Sequence, residues 1–127
     1  MDADRLRALS LFAALDAQTL KRVATFAGER SVPAGTNVVT EGDYAHELMI
    51  IEEGEAEVVR GGETIATLGP GDIFGEIGVL EKTLRTASVI ATTPMRLVTL
   101  THWDLKRIGD AIEQIRATLD ERKHSLG

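Results

Sequence analysis

Phe74-Gly75-Glu76-Ile77-Gly78-Val79-Leu80, followed four residues later by Leu84-Arg85-Thr86-Ala87-Ser88-Val89, is the stretch on which the reading of this chain turns. Its first half is too rich in glycine for a good helix and too charged for a plain core strand. An acceptor, Glu76, and a permanently charged donor, Arg85, stand nine positions apart in an otherwise largely apolar run. Taken singly, each residue fits a bland role. Gly75 and Gly78 suit a tight turn, Glu76 suits a helix N-terminus where the dipole favours a carboxylate, and Arg85 suits the exposed start of a strand.

Outward from this stretch, residues 30–101 are punctuated by Pro33, Gly35, Gly42, Gly54, Gly61-Gly62 and Gly69-Pro70-Gly71. The β-rich runs between them predict strands at 37–39, 48–51, 55–59, 64–68, 88–91 and 96–100, with Gly61-Gly62 as a two-residue hairpin turn. Short strands at this spacing predict a mainly β fold, a small barrel or jelly roll. Before it, Leu6, Leu9, Phe12 and Leu15 and then Leu20, Val23 and Phe26 recur at helical spacing. They predict two short helices joined near residue 16, the second capped by Asp16. After it, Trp103, Leu105, Ile108, Ile112, Ile115 and Leu119 predict C-terminal helices over 102–127, broken near Gly109. The expected organisation is a single domain over 1–127, with N-terminal helices in 1–29 and a β-roll in 30–101.

Composition narrows the function. A chain of 127 residues can bury a core without staples. It has no cysteine, which excludes disulfides and thiolate metal sites and suits a reducing compartment. The longest apolar runs, such as Leu11–Leu15 and Leu48–Ile51, are far too short to cross a bilayer. The acidic start, Met1-Asp2-Ala3-Asp4, lacks the pattern of a secretory signal. The expectation is a cytoplasmic protein without membrane insertion. A net charge of −6 argues against nucleic-acid binding, and three Phe, one Tyr and one Trp are too few for a base-stacking platform.

In combination, the residues of the opening stretch describe an anion receptor. A helical turn over Glu76 to Leu80 would present backbone N–H groups that lack partners within the turn. Gly75 and Gly78 would let a ligand approach the backbone, and Arg85 would add a planar charged fork. Glu76 would be repelled by the anion, but it can accept a hydrogen bond from a neighbouring hydroxyl, as acidic residues do from a ribose 2′-OH. An anion beside a free 2′-OH is the signature of a cyclic nucleotide.

Phe74-Gly75-Glu76-Ile77-Gly78-Val79-Leu80 with Arg85-Thr86-Ala87-Ser88-Val89 resembles the phosphate-binding cassette of the cyclic nucleotide-binding domain family, in its channel and kinase-like form. Pro33-Ala34-Gly35-Thr36, Glu41-Gly42-Asp43, Met49-Ile50-Ile51 with Gly54, and Gly69-Pro70-Gly71-Asp72 resemble the family's β-roll turns and hairpins. The likeness covers roughly residues 10–108. It implies an eight-stranded antiparallel β-roll with N-terminal helices and C-terminal hinge and lid helices, and a cassette at 74–88. It implies that Glu76 binds the ribose 2′-OH and Arg85 the exocyclic phosphate oxygen. Amides around Ile77, Gly78 and Ala87 complete the cradle, and Val58, Ala66, Leu68 and Val89 flank the base. The expected ligand-binding residues are Val58, Leu68, Phe74, Gly75, Glu76, Ile77, Gly78, Arg85, Thr86 and Ala87. Leu84 stands where kinase-type cassettes often have proline. Thr86 leaves the base open: the ligand is cAMP, or alternatively cGMP, and no metal is expected.

The resemblance also implies a moving part. The candidate lid is Glu113 to Leu126, with Ile115, Leu119 and Leu126 capping the base; alternatively Ile112 and Ile115 pack on the roll. Leucines on this helix could form a homodimer seam. With no output domain before Gly127, the expectation is a regulatory sensor acting on a protein partner in trans. Two alternatives stand beside it. One is a scaffold of the same fold without nucleotide, although such members usually lose the cassette Glu or Arg. The other is a cupin-like metalloenzyme, disfavoured because His46, His102 and His124 are far apart and no nucleophile motif occurs. The chain is therefore not expected to be an enzyme.

Overall fold

A computed structural model of the protein describes residues 1–9, 12–13, 15–44, 47–74, 84–101 and 103–104. The described elements run α1 (Ala3–Arg7), α2 (Ala17–Phe26), β1 (Gly28–Val32), β2 (Asn37–Val39), β3 (Glu47–Glu53), β4 (Ala56–Arg60), β5 (Glu63–Leu68), β6 (Ile73–Phe74), β7 (Ser88–Ala91) and β8 (Met95–Thr101). The expected second helix is present, and Asp16 caps it by accepting a 2.7 Å hydrogen bond from the Thr19 amide. The first helix is shorter than its apolar stripe suggests. Beyond Arg7 the chain continues through i→i−3 hydrogen bonds at Leu9, Phe12 and Leu15. Tight three-residue turns suit a stripe spaced strictly by three, and they still bury Leu6, Leu9, Phe12 and Leu15.

The strands form two antiparallel four-stranded sheets, ordered β1-β8-β3-β6 and β2-β7-β4-β5. This is the jelly-roll architecture expected from the sequence. Two strands had no sequence signal. Four residues of β1, Gly28-Glu29-Arg30-Ser31, are not buried, and only its pairing with β8 makes it a strand. β6 is two residues long, below any periodicity. At the β4–β5 hairpin the expected two-residue turn is Gly61-Gly62, with φ of 58° and 84°. Positive φ at both central positions is what a type I′ turn demands, and glycine supplies it without strain.

The core has two compartments, divided by the β1-β8-β3-β6 sheet. Leu48 and Ile50 of β3 and Val98 and Leu100 of β8 face the helices, where they meet Leu6, Phe12, Leu20 and Val23. Met49, Ile51 and Leu97 face the other way, against Val38, Val58, Leu68 and Val89 of the second sheet. The unbroken apolar run Leu48–Ile51 therefore reflects a strand covered on both faces. Gly54 closes the compartment between the sheets at the β3–β4 turn. Its φ is 99°, and a Cβ there would lie 2.4 Å from the Pro94 carbonyl oxygen and 2.9 Å from Met95 Cα, so no other residue fits.

Arg5 ties the N-terminal layer to the sheet. Its Nε and Nη2 donate to the two carboxylate oxygens of Glu52 at 2.8 and 2.6 Å, and Nη2 also lies 2.6 Å from Glu29 Oε1. The hydrogen bonds from Arg5 hold the Glu52 carboxyl below its ordinary value of 4.5, against desolvation acting in the opposite direction. A carboxylate depressed in the folded state adds stability above its unfolded pKa, and that stability is lost as pH falls through the folded value. Urea unfolding should therefore show a larger stability loss between about pH 6 and pH 3 for the native chain than for Glu52→Gln. Equal losses would show that the bridge contributes nothing to acid sensitivity.

Candidate functional site

Arg85 is 6% exposed, the one charged side chain buried to this degree among the described residues. Backbone pairing puts it there. The Arg85 amide donates to the Asp43 carbonyl at 2.8 Å, and the Gly42 amide donates to the Arg85 carbonyl at 2.9 Å. Next to this pair, Tyr44 and Leu84 form an antiparallel bridge. The 40–43 turn that offers these groups is closed by a bond from the Asp43 amide to the Thr40 carbonyl and by Gly42 at φ 87°. The guanidinium then donates from Nη2 to the backbone carbonyl of Glu47, at the start of β3, at 2.7 Å. A buried charge needs such anchoring, and a guanidinium so anchored presents a fixed positive group that suits a phosphate or carboxylate.

A cavity of about 260 Å³ reaches Arg85 from between β1, β2 and β3, with Arg30, Asn37, Thr40, Asp43, Tyr44 and Glu47 on its wall. Two arginines and two acidic residues are thus among those that line it. Of the expected site residues that are described, Arg85 alone lines it.

The other expected residues fall into three groups. Val58, Leu68, Phe74, Ala87 and Val89 are 4% exposed or less and lie between the two sheets, with Ala66 half-buried against them. Val58 stands opposite Ala66 on one neighbouring strand and Val89 on the other, so these side chains form one continuous interior wall. Thr86 is exposed, and its carbonyl accepts from Arg60 Nε at 3.1 Å. Gly75, Glu76, Ile77 and Gly78 lie outside the described residues, as do His46, His102, His124 and the expected lid at 113–126.

Sequence reasoning missed the acceptors and clamps around Arg85. The Glu47 and Asp43 groups that hold it are backbone carbonyls, which carry no residue signature. One missed feature was legible: Thr101-x-x-Asp104 is a capping pair. The Thr101 amide donates to Asp104 Oδ2 at 2.9 Å, and the Asp104 amide donates to Thr101 Oγ1 at 3.0 Å. It marks the helix start directly after β8. Among the described residues, no group of three or more His, Cys, Asp or Glu could hold a metal, and no helix is long and apolar enough to cross a membrane.

Comparison with known proteins shows what this geometry resembles. The family model described as "Cyclic nucleotide-binding domain" matches residues 29–111. The cAMP-dependent protein kinase regulatory subunit of Schizosaccharomyces pombe is 34% identical over 113 residues, which cover 87% of this chain and 27% of the subunit. Glutaminase 2 of Bradyrhizobium diazoefficiens is 36% identical over 92 residues, covering 72% of this chain but only 15% of that protein. Among solved structures, the catabolite activator protein of Thermus thermophilus superposes with a TM-score of 0.76 at 28% identity, over 88% of this chain and 57% of that one. The chain spans less than a third of the curated relatives named here.

Proposed function

This chain belongs to the cyclic nucleotide-binding domain family, and we propose that it binds cAMP through Arg85 and the cassette around it and regulates a protein partner in trans. The observation that carries this reading is the buried Arg85, whose backbone amide is held by the Asp43 carbonyl and whose guanidinium is held by the Glu47 carbonyl, at the end of the cassette-like sequence. In it Arg85 pairs with the cyclic phosphate and Glu76 accepts from the ribose 2′-OH. The amides of Ile77, Gly78 and Ala87 complete the cradle, with Phe74 and Gly75 leading the chain into it. Val58, Ala66, Leu68 and Val89 offer the base an apolar wall, and the Thr86 hydroxyl, directly after the arginine, contacts the base.

The relatives support cAMP over cGMP through the name of the kinase regulatory subunits. The remaining parts of the proposal extend this reading. The chain works as one domain over 1–127, in the cytoplasm, as a regulator and not a catalyst. Binding is read out by movement of the segment after β8. The ligand drives that movement only by binding one arrangement better than the other, and the same segment is the surface for a homodimer.

Calorimetric titration of folded, nucleotide-free protein with cAMP and separately with cGMP tests the proposal. The expected result is a dissociation constant of about 1 μM or tighter for cAMP and a weaker one for cGMP. Absence of heat and of competition with either nucleotide would overturn it.

A further inference from the structure

We propose that Glu41 and Arg60 are positioning residues that hold the Arg85–Ser88 segment, and so the Arg85 guanidinium, in the arrangement that receives a nucleotide phosphate. The inference rests on the nucleotide-binding reading for its functional consequence, and on geometry for the restraint itself.

The geometry begins where the sheet stops. β7 lies between β2 and β4, and its last ladder partners are Val39 opposite Val89 on one side and Val59 opposite Ser88 on the other. Residues 85–87 therefore precede the ladder of β7, which does not set their course. Other contacts do. The Glu41 amide donates to Ser88 Oγ at 2.9 Å, while Glu41 Oε1 accepts from the Gly61 amide at 3.0 Å. Glu41 thus links the β2 side of the segment to the β4–β5 turn on its other side. Arg60, at the end of β4, donates from Nε to the Thr86 carbonyl at 3.1 Å. The Gly42 and Asp43 backbone pairs to Arg85 complete the enclosure.

The two side chains are exposed and take no part in either core compartment. Removing them leaves the packed interior as it is and loosens only what they touch. The Gly61 amide needs this acceptor because the first residue of a two-residue hairpin turn has no ladder partner for its N–H. The result is that a hairpin distant in sequence sets the stiffness of the anion-binding segment. A preorganised receptor loses less conformational freedom on binding.

The test is amide hydrogen exchange at Arg85 in the free protein, with calorimetric titration of cAMP and urea unfolding on the same samples. In Glu41→Ala/Arg60→Ala, Arg85 amide exchange should accelerate and cAMP affinity should fall by about tenfold, as expected for losing the two side-chain hydrogen bonds to Gly61 and Thr86 while the Glu41 backbone amide keeps its bond to Ser88. The urea midpoint should stay near that of the native chain. Glu41→Gln keeps an acceptor oxygen and should restore most of the affinity when made alone. Arg96→Ala, which removes an exposed guanidinium beside Glu53, is the matched control and should bind like the native chain. Native-like exchange and affinity in the double variant would overturn the proposal, as would an affinity loss without faster exchange. If the native chain binds no nucleotide, the functional reading fails. Exchange at Arg85 then still decides the restraint, which stands if exchange accelerates and falls if it does not.

Discussion

Arg85→Ala should weaken cAMP binding by at least about 100-fold and remove the calorimetric signal at concentrations that saturate the native chain. The size of the effect follows from burial. Arg85 is 6% exposed, so a phosphate that reaches its guanidinium leaves water and depends on the charge it meets. Truncating one partner of a buried, hydrogen-bonded charge pair typically costs about 2–5 kcal/mol, enough for the stated loss. Arg85→Lys should recover little. An ammonium is a compact point charge, and it cannot both keep the Nη2 bond to the Glu47 carbonyl and present a planar fork to the anion. The variant should remain folded, because the Asp43 and Gly42 bonds to residue 85 are made by backbone groups that alanine retains. Circular dichroism and urea unfolding check that point on the titrated sample. Native-like affinity in folded Arg85→Ala would remove this residue from the site.

Phe74→Ala should destabilise the chain by about 3–5 kcal/mol, read as a lower urea midpoint with little change in slope. Phe74 is fully buried and is one of the two largest side chains in that state among the described residues. It sits between the sheets with Val32, Met49, Ile51 and Leu97, on a strand only two residues long. The β6 ladder pairs Phe74 with Met49 and Ile73 with Ile50, so packing must supply most of the hold on this strand. Phe74→Leu keeps much of the volume and should cost less, about 1.5 kcal/mol. The pair of variants separates two roles for a residue that the sequence places in the cassette. A core anchor lowers stability in proportion to the volume lost. A direct ligand contact would lower affinity and leave stability near native.

Glycine and proline punctuation, with apolar runs between, was enough to find β7 at 88–91, β2 at 37–39 and the Gly61-Gly62 turn, because each is decided by neighbours in the chain. β1 was not found, because Gly28-Glu29-Arg30-Ser31 has no apolar alternation, and the strand exists only by its register against β8. Arg85 stood out by residue type and by its distance from Glu76. Its surroundings did not. The Glu47 carbonyl that anchors it is 38 positions away, and the bonds from Glu41 to Ser88 and Gly61 and from Arg60 to Thr86 span 47, 20 and 26 positions.

Residue type and local order settled the mainly β character, the capped helix before β1, the family likeness and the cation at the heart of the candidate site. Whether that cation is buried, what holds it, and which exposed side chains brace the segment that carries it waited on the fold. Turns and apolar periods are written in adjacent residues, whereas hydrogen bonds to backbone carbonyls depend on which strands the sheet brings side by side.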